Sequence, residues 1–263
     1  MLTDAHCHLQ DRKFGADMRD VIERARETGV TTIVTIGYDM PSSERAIEIA
    51  DAHPDIYATV GVHPHDAKTV THRDVARLRD MAKHERVVAI GEIGLDFYRN
   101  LSPREEQYRA FRGQLDVARE ADLPVVIHSR DADGEAYAII AAHFAKRGAH
   151  DAGEPPRGVM HCFAGDLALA QRYIELGFVI SIAATVTYPA AEKTREVATS
   201  IPLEWMTIET DAPYLPPQSI RGQRNEPALV KDLAQFVGEL RGIPLEEVAE
   251  ETAKTAARLY QLD

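Results

Sequence analysis

Short apolar runs rich in β-branched residues alternate with longer amphipathic stretches along the whole chain. The runs are LTDAH (2–6), VTTIVTI (30–36), IYATVG (56–61), VVAIG (87–91), PVVIH (124–128), RGVMH (157–161), FVISI (178–182) and WMTIE (205–209). They read as strands buried on both faces, as parallel strands are. Between them, apolar residues recur at three- and four-residue spacing in DMRDVIERARETG (17–29), SSERAIEIADA (42–52), REEQYRAFRGQLDVAREA (104–121) and LALAQRYIELG (167–177). That spacing predicts amphipathic helices, with Gly29 and Gly177 where a helix ends. A last helical pattern, PLEEVAEETAKTAARLY (244–260), closes the chain.

Strand and helix thus alternate eight times. An open doubly wound sheet and a closed barrel both accept this order. Eight strands in 263 residues favour an α/β fold of the (β/α)8 TIM barrel type, one domain over residues 1–263. No Gly-x-Gly-x-x-Gly follows the first strand, which disfavours a dinucleotide-binding sheet. GEIG (91–94) lacks that spacing and reads as a tight turn after the fourth strand. RGAHDAGEPPRG (147–158) reads as a surface loop.

Composition narrows the class. A net charge of −12 repels nucleic acid unless bound cations or a local basic patch reverse the field. Two cysteines, Cys7 and Cys162, are too few for a disulfide framework and read as packing residues. The N-terminus shows no basic-then-apolar signal and no run reaches membrane-spanning length, so a cytoplasmic protein is expected.

Catalytic groups of such barrels sit at the C-terminal ends of strands. Here the runs end in His6-Cys7-His8, His63-Pro64-His65, Glu92, His128-Ser129-Arg130, His161-Cys162 and Glu209-Thr210-Asp211. Five of the eleven histidines, His6, His8, His63, His128 and His161, lie at or within two residues of a predicted strand end. His53, His72, His84, His143 and His150 fall in helices or loops and read as solvated side chains. A lone rim histidine is as well explained by a structural hydrogen bond as by ligation. The set, with Glu92 and Asp211, points to metal. Imidazole and carboxylate together suit zinc, manganese or a similar divalent ion. Six donors exceed one tetrahedral site and suit two ions sharing a carboxylate, roughly 3.5–4 Å apart, as in two-metal phosphoryl transfer. Glu92 is the natural bridge. Asp211 can ligate and also accept a proton from the attacking water.

In order, DAHCHL (4–9), GVHPHDA (61–67), AIGEIGLDFYR (89–99), PVVIHSRDA (124–132), HCFAG (161–165), ETDAPYLPP (209–217) and RNEP (224–227) resemble the TatD family of metal-dependent deoxyribonucleases. The resemblance spans the chain. It implies a TIM barrel related to the amidohydrolases, two divalent ions (Mg, Mn or Zn), and hydrolysis of DNA phosphodiester bonds. The expected substrate is single-stranded DNA or 3′ ends, attacked as a 3′-5′ exonuclease, without sequence-specific binding or a membrane partner. By the resemblance, His6, His8, Glu92 and Asp211 match the ligands of one metal, and Glu92, His128 and His161 those of the second. His63 matches a histidine that holds phosphate. Arg130, at a strand end, is a candidate phosphate contact. Arg224 and Asn225 match the RNEP segment and either contact substrate or brace the last loop. Asp96 either orients a histidine ligand or serves a loop hydrogen bond, and Asp4 has no assigned role. Gln223 stands where family members often carry lysine, which removes a basic substrate contact.

Two other readings use the same residues. One is an amidohydrolase or a D-aminoacyl-tRNA deacylase. Glu92 at the fourth strand end disfavours the variety bridged by a carboxylated lysine. The other is a barrel whose metal is only structural. Donors spread over at least five strand ends argue against a closed four-ligand site.

Overall fold

The structure, a computed structural model, describes residues 1–145, 148, 150–151 and 153–262. Its strands are β1 (Leu2–Cys7), β2 (Val30–Ile36), β3 (Ile56–Val60), β4 (Val87–Asp96), β5 (Val125–Arg130), β6 (Gly158–Met160), β7 (Phe178–Ala183) and β8 (Met206–Glu209). They pair in parallel, each with its successor in sequence. Just past β8, the Asp211 N–H donates to the His6 carbonyl (2.9 Å) and the His8 N–H to the Ala212 carbonyl (2.7 Å). The last strand end is thereby drawn against the first, and the sheet curls into a near-closed (β/α)8 barrel.

Parallel neighbours require crossovers, and helices supply them. These are α1 (Met18–Glu27), α2 (Met40–Ala52), α3 (His72–Met81), α4 (Arg104–Ala121), α5 (Asp133–Phe144), α6 (Leu167–Glu175) and α7 (Glu192–Ser200). α8 (Val230–Arg241) and α9 (Leu245–Tyr260) follow β8. Local chemistry sets their ends. Asp39 caps α2 by accepting from the Ser42 N–H, and the Ser42 hydroxyl accepts from the Asp39 N–H in return. Gly29 and Gly177, with φ of +93° and +83°, follow α1 and α6 as the sequence predicts. α9 shares a buried cluster with Ala5, Val34, Val88, Val126, Val159 and Val179 of the strands, and its Tyr260 hydroxyl donates to the Ala5 carbonyl (3.0 Å). Among the described residues no helix is long and apolar enough to cross a membrane.

One expectation fails. GEIG is not a turn: β4 runs on through it to Asp96, with a register shift between Ile90 and Ile93. The glycines serve close approach instead. A Cβ on Gly91 would lie 2.6 Å from the Val126 carbonyl oxygen, and one on Gly94 would collide with the His128 carbonyl. β4 and β5 can therefore pair up to Gly94–His128 and Asp96–Arg130. The predicted loop 147–158 lies partly outside the described residues, at positions 147, 149 and 152.

Candidate metal centre

The strand ends deliver the histidines and carboxylates to the floor of a cavity of about 790 Å³. Glu92, buried on β4, stands at the middle. Its Oε2 faces His6 Nε2 (3.6 Å) and His8 Nε2 (3.9 Å). Its Oε1 faces His128 Nδ1 (2.9 Å), His63 Nε2 (3.5 Å) and His161 Nε2 (3.7 Å). Asp211 Oδ1 lies 3.2 Å from His8 Nε2 and 3.6 Å from His6 Nε2. Asp211 adopts a left-handed backbone, φ +56°, just after β8, which a non-glycine residue rarely does. Its N–H on His6 and its carbonyl, which accepts from Tyr214 N–H (2.9 Å), hold it there.

Among the described residues four groups of donors are close enough to share an ion: His6, His8 and Glu92; His6, His161 and Asp211; His63, Glu92 and His128; and His161, Cys162 and Glu209. The six sequence-predicted ligands are thus brought together. His63 joins them, its Nε2 3.5 Å from Glu92, while His161 stacks on His6 with ring centroids 3.6 Å apart.

Electrostatics follow from crowding these groups away from water. Burial pushes the Glu92 carboxyl up, but the nearby imidazoles of His161, His63 and His6 and the close approach of His128 Nδ1 hold it well below its ordinary range. Burial likewise opposes ionisation of Asp211, and the His8 hydrogen bond with the neighbouring imidazoles brings it net below normal. Burial and neighbouring imidazoles lower His6. His63 is driven well down, chiefly by burial. Burial works against charge on His161 too, yet Glu209 and Glu92 carry it up to about 10. The centre therefore crowds ionised carboxylates against imidazoles away from water. Both ring nitrogens of His6 are buried without a hydrogen-bond partner among the described residues. Such orphaned donors are costly unless something else satisfies them. A mixed imidazole–carboxylate set with free lone pairs fits divalent zinc or manganese.

Other side chains hold this set in place. His8 Nδ1 lies 2.9 Å from the Ile36 carbonyl, which fixes the ring and leaves Nε2 facing the centre. Asp96 does both things the sequence allowed. Its Oδ2 lies 2.8 Å from His65 Nε2 and 3.4 Å from His128 Nε2, and its Oδ1 accepts from the Arg99 N–H (2.7 Å). Asp4, without a role at the sequence level, accepts from the Thr210 N–H (2.9 Å) and hydroxyl (2.6 Å), tying β1 to the residue before Asp211.

Glu209 is the residue that sequence reasoning passed over. It is buried, accepts from Ser181 Oγ (2.5 Å) and the Cys162 N–H (2.7 Å), and lies 2.6 Å from His161 Nδ1. Strand alternation was the available signal, since Glu209 and Asp211 are two apart as His6 and His8 are. His65, which the sequence reading left without a role, follows His63 in the turn after β3 and reaches Asp96. Cys7 packs as expected, with its thiol toward the Val34 carbonyl (3.7 Å). Cys162 does not: its backbone turns left-handed at φ +44° and it lines the cavity.

Arg130 lines the cavity with Arg99. Arg224 and Asn225 do not line it, and their side chains are engaged in contacts that brace the last loop. Arg224 donates to both Asp17 oxygens (2.8 and 2.6 Å), to Glu226 (2.8 Å) and to the Lys13 carbonyl (2.7 Å). Asn225 is fully buried and donates to the carbonyls of Thr210 (2.7 Å) and Tyr214 (2.8 Å).

A parallel barrel with histidines and carboxylates converging at its C-terminal rim defines a metal-dependent hydrolase of the amidohydrolase-like class. Comparison with known proteins agrees. The family described as TatD related DNase matches residues 3–261. The metal-dependent hydrolase YabD of Bacillus subtilis is 40% identical over the full length of both chains. The 3′-5′ ssDNA/RNA exonuclease TatD of Erwinia tasmaniensis is 36% identical, covering 98% of this chain and 99% of its own. The crystal structure of YjjV from Escherichia coli, 30% identical, superposes with a TM-score of 0.90 over 100% of this chain and 98% of that one. The chain belongs to the TatD family of metal-dependent hydrolases.

Proposed function

We propose that this protein hydrolyses DNA phosphodiester bonds, removing nucleotides from the 3′ ends of single strands. The observation that carries the reading is the split of Glu92. One of its oxygens faces His6 and His8 and the other faces His128, His63 and His161. That division suits two divalent ions sharing one carboxylate, with His6, His8 and Asp211 on one side and His128 and His161 on the other. Bound ions would supply Lewis-acid stabilisation of charge on the phosphoryl oxygens. The exonuclease relative covers the whole chain at 36% identity and supports the choice of substrate.

The chain's own groups do the rest. His63 and Arg130 line the cavity, and in this reading they hold a phosphate oxygen. The Asp211 carboxylate, ionised at neutral pH, accepts a proton at Oδ1 from the attacking water. The water oxygen bonds to phosphorus as one P–O ester bond breaks, and a proton ends on the leaving alcohol. Incubation with 5′-labelled single-stranded DNA, with Mg²⁺ or Mn²⁺ and with chelator, tests this. Stepwise, metal-dependent shortening from the 3′ end is expected. Intact DNA from a preparation with loaded metal overturns it.

A further inference from the structure

Two exposed tyrosines adjoin the same cavity: Tyr214 lines it, and Tyr98 is next in the chain to Arg99 and in contact with Arg130, both of which line it. Tyr98 is 62% exposed and Tyr214 is 40% exposed. Isolated exposed apolar side chains need no explanation. These two are not isolated, because each is pinned by a cation. The Arg130 guanidinium sits 3.9 Å from the Tyr98 ring centroid and the Lys13 ammonium 4.5 Å from that of Tyr214. A third pair, Arg221 over Tyr188 at 4.0 Å, lies at another part of the wall that Tyr188 lines. In a chain with net charge −12, residues that line this cavity thus take part in three cation–aromatic pairs.

The Tyr98 segment is held firmly. The Phe97 N–H donates to the Arg130 carbonyl (2.9 Å), and the Arg99 N–H to Asp96 (2.7 Å). β4 and β5 therefore fix the backbone that carries Tyr98, Arg99 and Arg130, and the Arg130 guanidinium packs on the Tyr98 ring. Arg99 and Arg130 both line the cavity that leads down to Glu92. Aromatic platforms beside a cationic path are the physical means of gripping unpaired nucleotides. Every base offers a π-face, and cations track the phosphates. In a duplex those faces are already stacked on one another.

We propose that Tyr98, held by Arg130, is a base-stacking subsite near the reacting end of a single-stranded substrate, with Arg99 and Arg130 facing its phosphates. This deepens the phosphodiesterase reading and rests on it. Tyr98 receives the base and makes no contact with the Glu92 centre, so it governs affinity and strand selection while the chemical step proceeds elsewhere.

The test pairs a protein change with a substrate change. Wild type, Tyr98→Ala and Tyr98→Phe are assayed on a hexathymidylate and on versions with one abasic site at each of the three 3′-terminal positions. Tyr98→Ala should raise KM on the intact oligonucleotide about tenfold, within the range of base–aromatic stacking, and leave kcat nearly unchanged. Tyr98→Phe should behave as wild type. At one abasic position wild type and Tyr98→Ala should become equal. Equal KM values on the intact oligonucleotide, or the same penalty at every abasic position, overturn the subsite. Anisotropy of fluorescein-labelled hexathymidylate is measured in parallel. Binding that depends on Tyr98 without any hydrolysis removes the phosphodiesterase reading and keeps the subsite. Hydrolysis that is indifferent to Tyr98 does the reverse, and absence of both binding and hydrolysis removes both.

Discussion

Replacing Asn225 distinguishes a brace from a substrate contact. Its side chain is fully buried 15 residues beyond Thr210, in the loop that returns from β8 to α8. The amide donates to the Thr210, Tyr214 and Leu215 carbonyls on either side of Asp211, and its oxygen accepts from the Glu226 N–H (3.0 Å). Asn225→Ala removes the partner of three carbonyls and one N–H where water has little access. At about 1 kcal/mol net for each bond, the loss comes to about 4 kcal/mol. That is a large share of the ~5–15 kcal/mol typical of a folded domain, yet leaves the chain folded. Asn225→Asp keeps the shape and turns the donor into an acceptor facing three carbonyls, so it should cost at least as much as alanine. Urea unfolding followed by circular dichroism gives the stability change, and steady-state kinetics gives kcat and KM. A lower urea midpoint with reduced kcat is expected, because Asp211 loses its support. A raised KM with an unchanged midpoint would refute the bracing role and restore the substrate contact.

Other consequences can be checked on the same protein. Arg26 donates to both oxygens of Asp55 (2.8 and 2.6 Å), and this hydrogen bonding holds the Asp55 carboxyl below its ordinary value. Its stabilisation is present above the unfolded carboxyl pKa of about 4 and is lost as pH falls through the lower folded value. Asp55→Asn should cost about 1 kcal/mol near pH 7, a figure discounted for partial solvent exposure. The gap from wild type should close on acidification, and a constant gap from pH 7 to 3 contradicts the pair's role. Glu209→Gln keeps its shape but removes the charge beside His161. Loss of such a support lowers metal affinity or turnover by roughly 10–100-fold. Unchanged turnover at limiting metal, measured by titration with Mn²⁺, would show that Glu209 does not act through His161.

Much of this was legible because parallel barrels put chemistry in one place. Uniformly apolar strands gave the eight-fold alternation, and the residue ending each strand then gave His6, His8, Glu92, His128, His161 and Asp211 together. What escaped depends on contacts between distant segments. GEIG looks like a turn because glycine pairs usually break strands. Here they let the β5 backbone approach, which only the positions of Val126 and His128 reveal. Arg224 carries a charge that sequence cannot tie to Asp17, about two hundred residues earlier, so its two roles stayed open. Cys162 was placed by strand alternation, but β6 ends at Met160 and the backbone has already turned when Cys162 is reached.

In the proposed mechanism Glu92 joins two divalent ions. Manganese bound per chain, counted by elemental analysis after equilibrium dialysis of wild type and Glu92→Gln, tests it most directly. The expected result is about two ions for wild type, as two-metal hydrolysis requires, and fewer for a folded Glu92→Gln protein that no longer hydrolyses DNA. One ion per chain in both proteins, with hydrolysis unaffected, would contradict it.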